Sequence, residues 1–207
     1  MNLPETYMSE HGLTVEGAGP ELLSELLAEY ETILERTDPS SLASLQPGLT
    51  RDDIVQRLDG VELAAPDELI VWWTWRNGFP LMTPHGLMNP QLSIDLALIF
   101  REDDEGMCFE NLPSPSWLRV IGDDSRHAIG ITCDKNIDPP WVRTVNPEFN
   151  VPDVLGPKYR AVSLCTVMTW HLLSIREGWV RFNPESGTWN WENYAAVPPE
   201  WRATGVL

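Results

Sequence analysis

The stretch Pro66-Asp67-Glu68-Leu69-Ile70-Val71-Trp72-Trp73-Thr74-Trp75-Arg76-Asn77-Gly78 decides how the rest of the chain is read. A proline in the first turn followed by two carboxylates near the positive end of the dipole is a helix start. Leu69, Ile70, Trp72, Trp73 and Trp75 make that helix apolar nearly all round, so it must be mostly buried. Asn77 or Gly78, either of which can take the left-handed conformation, is expected to end it.

Upstream, Leu22, Leu23, Leu26, Leu27, Tyr30, Ile33 and Leu34 recur at the spacing of an amphipathic helix, with Pro20 suited to its first turn and Glu21, Glu25, Glu29 and Glu35 on its wet side. The stretch from Asp38-Pro39 to Pro47-Gly48 reads as a linker. Thr50 can cap a short second helix striped by Ile54, Val55 and Leu58, with Gly60 as its stop. Residues 1–18 are polar and show no period, which predicts a loose, flexible arm.

Downstream, Leu92 to Phe100 fits strand alternation and helical spacing equally well. The charged run Arg101 to Gly106 reads as an exposed loop. Three strand-like runs follow, Trp117 to Ile121, His127 to Thr132 and Trp141 to Val145, for which an antiparallel meander is the simplest arrangement. Ser163 to Glu177 returns to helical spacing and stops at Gly178. Trp179 to Phe182 and Thr188 to Trp191 then suggest a hairpin. The expected organisation is a flexible arm over 1–18, one α+β domain over 19–191 and a tail over 192–207.

The chain has 31 acidic residues against 14 Lys plus Arg among its 207 residues, a formal charge of -17. Such a surface repels phosphate backbones and anionic headgroups, so neither nucleic acid nor membrane is an expected partner, whereas a basic protein would be attracted. Cys108, Cys133 and Cys165 are far apart and in no CxxC arrangement, which fits a reducing compartment, the cytoplasm. The start lacks a basic then apolar leader, and no run of eighteen apolar residues occurs. Ten tryptophans stand out, because indoles serve both cores and interfaces.

Chemical motifs fail on inspection. Asp134-Lys135-Asn136-Ile137-Asp138 mimics the start of an EF-hand loop, but Pro139 stands where glycine is needed and Val145 where a bidentate Glu is needed, leaving a polar turn. His11, His85, His127 and His171 lack HExxH spacing, and His171 on an apolar helix face reads as a core residue. There is no nucleophile elbow, P-loop or dinucleotide fingerprint. Carboxylate pairs with aromatic platforms suit glycosidases, yet acidic residues are too abundant here for any pair to signal one. No catalytic residue, cofactor or metal is therefore expected.

Leu63, Pro66, Glu68, Leu69, Trp75, Asn77 and Gly78 match positions of the SUKH superfamily, the Smi/Knr-like domains, which the chain resembles. Trp117-Leu118-x-Val120-Ile121-Gly122-Asp123 matches that family's strand and Gly-Asp turn, and the last helix after Ala161-Val162-Ser163 also fits. The resemblance spans roughly Leu22 to Arg176; the N-terminal arm, the insertion around Trp141 and the tryptophan-rich tail depart from it. It implies a SUKH-like α+β fold, a mixed, mostly antiparallel sheet packed against several helices, with a helix for the ambiguous segment. It further implies no catalysis and, in bacteria, most often an immunity protein that inhibits a polymorphic toxin.

The leading expectation is thus an immunity protein whose acidic face occludes a basic toxin, plausibly a nuclease. Contacts are expected from Glu102, Asp103, Asp104, Glu105, Asp123 and Asp124, with exposed tryptophans as hot spots. Two alternatives are a regulatory scaffold that binds a cellular enzyme, as the eukaryotic relatives look to be, and a carbohydrate-active enzyme.

Overall fold

The computed structural model of the chain describes residues 1–44, 46–77, 86–87, 90–91, 93–95, 117–122, 128–145 and 160–204. The expected loose arm is instead a hairpin. Strand β1 (Thr6–Met8) pairs antiparallel with β2 (Leu13–Val15), in the register Thr6 to Val15, Tyr7 to Thr14 and Met8 to Leu13. Leu13 and Val15 are buried, and removing that apolar surface from water is what holds the segment down. Three-residue strands show too little alternation to register as a period. Gly12 lets the hairpin lie close, since at its φ of +149° a side chain is strained and a Cβ would come within 2.8 Å of the Arg160 carbonyl.

Helix α1 (Pro20–Thr37) buries Leu23, Leu26, Leu27, Tyr30 and Leu34 along one stripe, as its spacing predicts. The expected linker holds a short helix, α2 (Pro39–Ser44). Its proline and serines suit a first turn as well as a loop, and Asp38 anchors it by accepting the Ser40 hydroxyl and the Leu42 N–H. Helix α3 (Arg51–Asp59) is capped as expected, the Thr50 side chain accepting the Asp53 N–H. Gly60 is right-handed, however, and the left-handed residue is Glu62 at φ 63°. Glu62 and Leu63 donate to the carbonyls of Asp59 and Leu58, the paired bonds of a Schellman end.

Helix α4 (Asp67–Trp75) buries Leu69, Ile70, Trp72 and Trp73, in line with its all-round apolarity. Its end differs from expectation: Arg76 is already extended, and Gly78 lies outside the described residues. The segment before α3 pairs with this end instead: Leu49 donates to the Trp73 carbonyl at 2.9 Å, and the Asn77 N–H donates to the Gln46 carbonyl at 3.2 Å. Gly48 passes so close that a methyl there would overlap the Thr74 carbonyl, which is fixed within the helix. Gly48→Ala is therefore expected to cost about 1–3 kcal/mol by forcing these backbones apart; urea unfolding with an unchanged midpoint would show that the close approach is dispensable.

Strands β3 (Gly86–Leu87), β4 (Trp117–Gly122), β5 (Ala128–Thr132) and β6 (Val142–Val145) form an antiparallel sheet in that order. The meander of the last three follows the sequence reading, and β5, the inner strand, is buried throughout. Ala161 extends the layer. It exchanges backbone bonds with Val142 on one side, while Arg160 and Val162 bond Leu13 on the other, in parallel. One hydrogen-bonded layer therefore runs from the N-terminal hairpin through residue 161 to the meander. Of the ambiguous segment, residues 93–95 are described and helical, and Ser93 donates to the Arg119 carbonyl of β4 at 2.6 Å. Leu92 and residues 96–100 lie outside the described residues.

Helix α5 (Leu164–Arg176) starts at Ser163, whose side chain accepts the Thr166 N–H, and is followed by Gly178 at φ +70°. Strands β7 (Val180–Asn183) and β8 (Thr188–Trp191) form the expected hairpin. The stretch read as a tail is ordered by packing: a 3-10 turn (Tyr194–Ala196) and a short helix, α6 (Pro199–Arg202), place buried Trp201 flat on Trp170, ring centroids 4.9 Å apart. The architecture is thus α+β, with helices and a mixed, mostly antiparallel layer sharing one hydrophobic cluster. Among the described residues no helix is long and apolar enough to cross a membrane.

Candidate functional site

Three helix starts distant in sequence converge on one cleft of about 810 Å³. Gly19 of α1, Pro66 of α4 and Ser163 of α5 all line it. Tyr7, Ser9 and His11 of the first hairpin form one wall, and Asp134, Lys135 and Asp138 of the β5–β6 connection form another. Helix N-termini carry positive potential from unsatisfied N–H groups, so such a convergence favours anions unless the chain supplies its own.

It does supply one. Glu68, in the first turn of α4, is buried and accepts the Leu164 N–H at 2.6 Å and the Cys165 N–H at 3.4 Å. Ser163 takes the Thr166 N–H at 2.9 Å. The first free donors of α5 are therefore met by protein groups. Burial pushes the Glu68 carboxyl up to about 7, outweighing the hydrogen bonds from Leu164, Cys165 and Ser163 that hold it down. Its protonation state thus changes near neutrality while its oxygen is committed to the backbone of α5.

Other reactive groups in the described residues are muted. Burial pushes the Cys165 thiol up to about 12, against a lowering hydrogen bond from the Gly19 backbone, with the Glu68 charge also raising it. Burial likewise raises the Cys133 thiol. Both thiols are free, buried and protonated, the opposite of a nucleophile's environment. The EF-hand-like stretch is a turn in which an Asp134 carboxylate oxygen accepts both the backbone and the side-chain N–H of Asn136. Among the described residues no three metal-ligating side chains come together. His171 sits half-buried on α5, edge-on to Tyr30 at 5.2 Å.

The partner-binding residues named from sequence, Glu102, Asp103, Asp104, Glu105, Asp123 and Asp124, all lie outside the described residues. None of the tryptophans whose side chains are described is exposed. Trp72, Trp73, Trp170, Trp189 and Trp201 are buried, and Trp75, Trp141, Trp179 and Trp191 are partly buried. All but Trp141, which lies under the Arg160 guanidinium, pack in or against the core cluster, and Trp75 also donates to Glu31 at 3.0 Å. Composition cannot separate a core indole from an interface one; position on the helix that two other elements wrap is what decides.

The exposed surface has a different chemistry. Glu5 and Glu16 on the hairpin, Glu21, Glu25 and Glu35 on α1, and Asp52 and Asp59 on α3 are exposed and form no ion pair among the described residues. The first 62 residues hold thirteen carboxylates against three arginines. Among the described residues the large apolar side chains that stand out in solvent are Met1, Tyr7, Met8 and Tyr194, two of them on β1. Neither the protein-family models nor the curated proteins contain a match to this chain.

Proposed function

We propose that this chain is a non-catalytic protein-binding domain of the immunity type, acting in the cytoplasm, which neutralises a basic toxin by covering its cationic surface. The observation that carries the reading is the excess of exposed carboxylates on the hairpin, α1 and α3 that form no ion pair among the described residues. Holding like charges together opposes folding through self-repulsion, and that cost is offset when an oppositely charged partner arrives. A field of this sign steers a cationic protein over roughly 8 Å at physiological salt and raises association rates towards about 10⁸ M⁻¹s⁻¹ at low salt. Speed of capture matters when the target is a toxin.

The chemistry of the cleft agrees with binding in preference to turnover. Its one buried carboxyl is tied to the start of α5. The resemblance to Smi/Knr-like domains points the same way. The test is genetic and direct: the product of the adjoining reading frame is expressed alone and together with this chain. Poisoning alone, rescue together, and loss of rescue when Glu21, Glu25 and Glu35 are all changed to lysine are expected. A harmless neighbour, or full rescue by the triple variant, contradicts the reading.

A further inference from the structure

Among the described residues the hydrogen-bonded layer ends at β1, whose outer edge pairs with no further strand. Ser9 donates to the Gly12 carbonyl at 2.9 Å and Glu16 to the Glu5 carbonyl at 3.1 Å. These two bonds fix the phase of the hairpin, because hydrogen-bonded pairs alternate with open ones in an antiparallel ladder. Tyr7 therefore turns its N–H and C=O towards Thr14, and Thr6 and Met8 turn theirs outward. Those outward groups have no backbone partner among the described residues.

Natural sheets guard such edges with charge on the strand itself, proline or a covering element. Here the strand residues are Thr6, Tyr7 and Met8, and the last two are 52% and 48% exposed. Tyr7 stands over the cleft, whereas Thr6 is held inward by the indole N–H of Trp170 at 2.9 Å. The strand is thus anchored on its core side and open along its outer edge. Acidic side chains bracket it: Glu5 precedes it, Glu10 follows it, and Glu16 lies across from Glu5, all exposed. Of the nearby cations, Arg160 donates to the His11 carbonyl at 2.6 Å and stacks on Trp141 at 3.8 Å, and the Met1 ammonium lies beside Glu29.

We infer that the β1 edge is where the partner docks, accepting an extended segment in which basic residues alternate with apolar ones as an added strand. The inference rests on the basic-partner reading above and names the mode and place of contact. Backbone bonds to Thr6 and Met8 supply register; Met8, on the same face as Thr6, covers the apolar positions, and Glu5 and Glu16, on the Tyr7 face, meet the basic ones. A second copy of this chain fits poorly, since pairing two β1 edges would bring the acidic flanks of two molecules, each of formal charge -17, against each other.

The test uses the whole chain and a short synthetic peptide alternating lysine and valine. It is expected to bind, to slow amide exchange at Thr6 and Met8, and to weaken at least about tenfold when its amides are N-methylated on alternate residues, the loss of one or two backbone bonds. Met8→Pro is expected to weaken it similarly while leaving the hairpin intact, because the Met8 N–H faces outward. Equal binding of the N-methylated peptide or of a glutamate-for-lysine version overturns the inference. So does sedimentation showing a dimer that Met8→Pro dissociates, which would assign the edge to a second copy. Rescue from the toxin by Met8→Pro at the level of the unaltered chain would sink the edge while leaving the basic-partner reading standing; absence of any toxin would sink the reading itself.

Discussion

Replacing Trp170 by alanine is expected to destabilise the chain by about 3–5 kcal/mol, the range for truncating a large buried aromatic, and to loosen both ends at once. Trp170 is fully buried on α5. Its indole N–H donates to Thr6 of the first hairpin at 2.9 Å, and its face stacks on Trp201 of α6 with an interplanar angle of 9°. One side chain thus ties residues 6 and 201 to the same helix. Trp201→Ala removes only the stack and is expected to cost less. Urea unfolding gives the magnitudes, and amide exchange gives the location: faster exchange in both the hairpin and the C-terminal turn for Trp170→Ala, in the latter alone for Trp201→Ala. A Trp170→Ala variant whose hairpin exchanges no faster would show that the two ends are held independently.

The second large effect is a pH dependence seated at Glu68. An unfolded glutamate titrates near 4.5, and burial holds this one to about 7 in the folded chain. The folded state therefore binds the proton more tightly than the unfolded state between those values. Its contribution is fully present below about 4.5, is lost as pH rises through about 7, and is level above that, a fall of roughly 3 kcal/mol across the window. Glu68→Gln keeps an oxygen for the Leu164 N–H but cannot titrate. The difference in unfolding free energy between the native chain and Glu68→Gln is expected to shift in the variant's favour as pH rises through that window. Parallel curves from acid to neutral pH would show that Glu68 keeps an ordinary carboxyl.

Both effects centre on α5, and the way α5 is used explains what could be read from sequence. Helices α1, α3, α4 and α5, the β4–β6 meander and the β7–β8 hairpin were legible because each carries enough apolar residues to reveal a period, and because Thr50 caps as its side chain dictates. The N-terminal hairpin was not legible, since its order comes from burial of Leu13 and Val15 and from the backbone of residues 160–162. Nor was the ordered C-terminal turn, which owes its place to the Trp170–Trp201 stack. Local signals cannot reveal partners that tertiary folding supplies.

The cleft was hidden for the same reason. Glu68 reads locally as a carboxylate favouring its own helix start, yet the helix it caps begins 96 residues later at Leu164. The acidic character of the surface was legible from composition, whereas the place where it is densest among the described residues was not. The acidic loops singled out beforehand lie outside those residues, and the exposed carboxylates that are described sit on the hairpin, α1 and α3. The indoles of α4 turn inward because that helix is apolar on nearly every side, so composition alone did not tell where the tryptophans sit.

If the negative potential of this surface serves to capture a cationic protein, the association rate between this chain and the product of the adjoining reading frame, followed by stopped flow, depends on salt between about 0.05 M and about 1 M. The rate is expected to fall steeply while dissociation changes little, and Glu21→Lys with Glu25→Lys is expected to flatten the slope. An association rate indifferent to salt would contradict the claim.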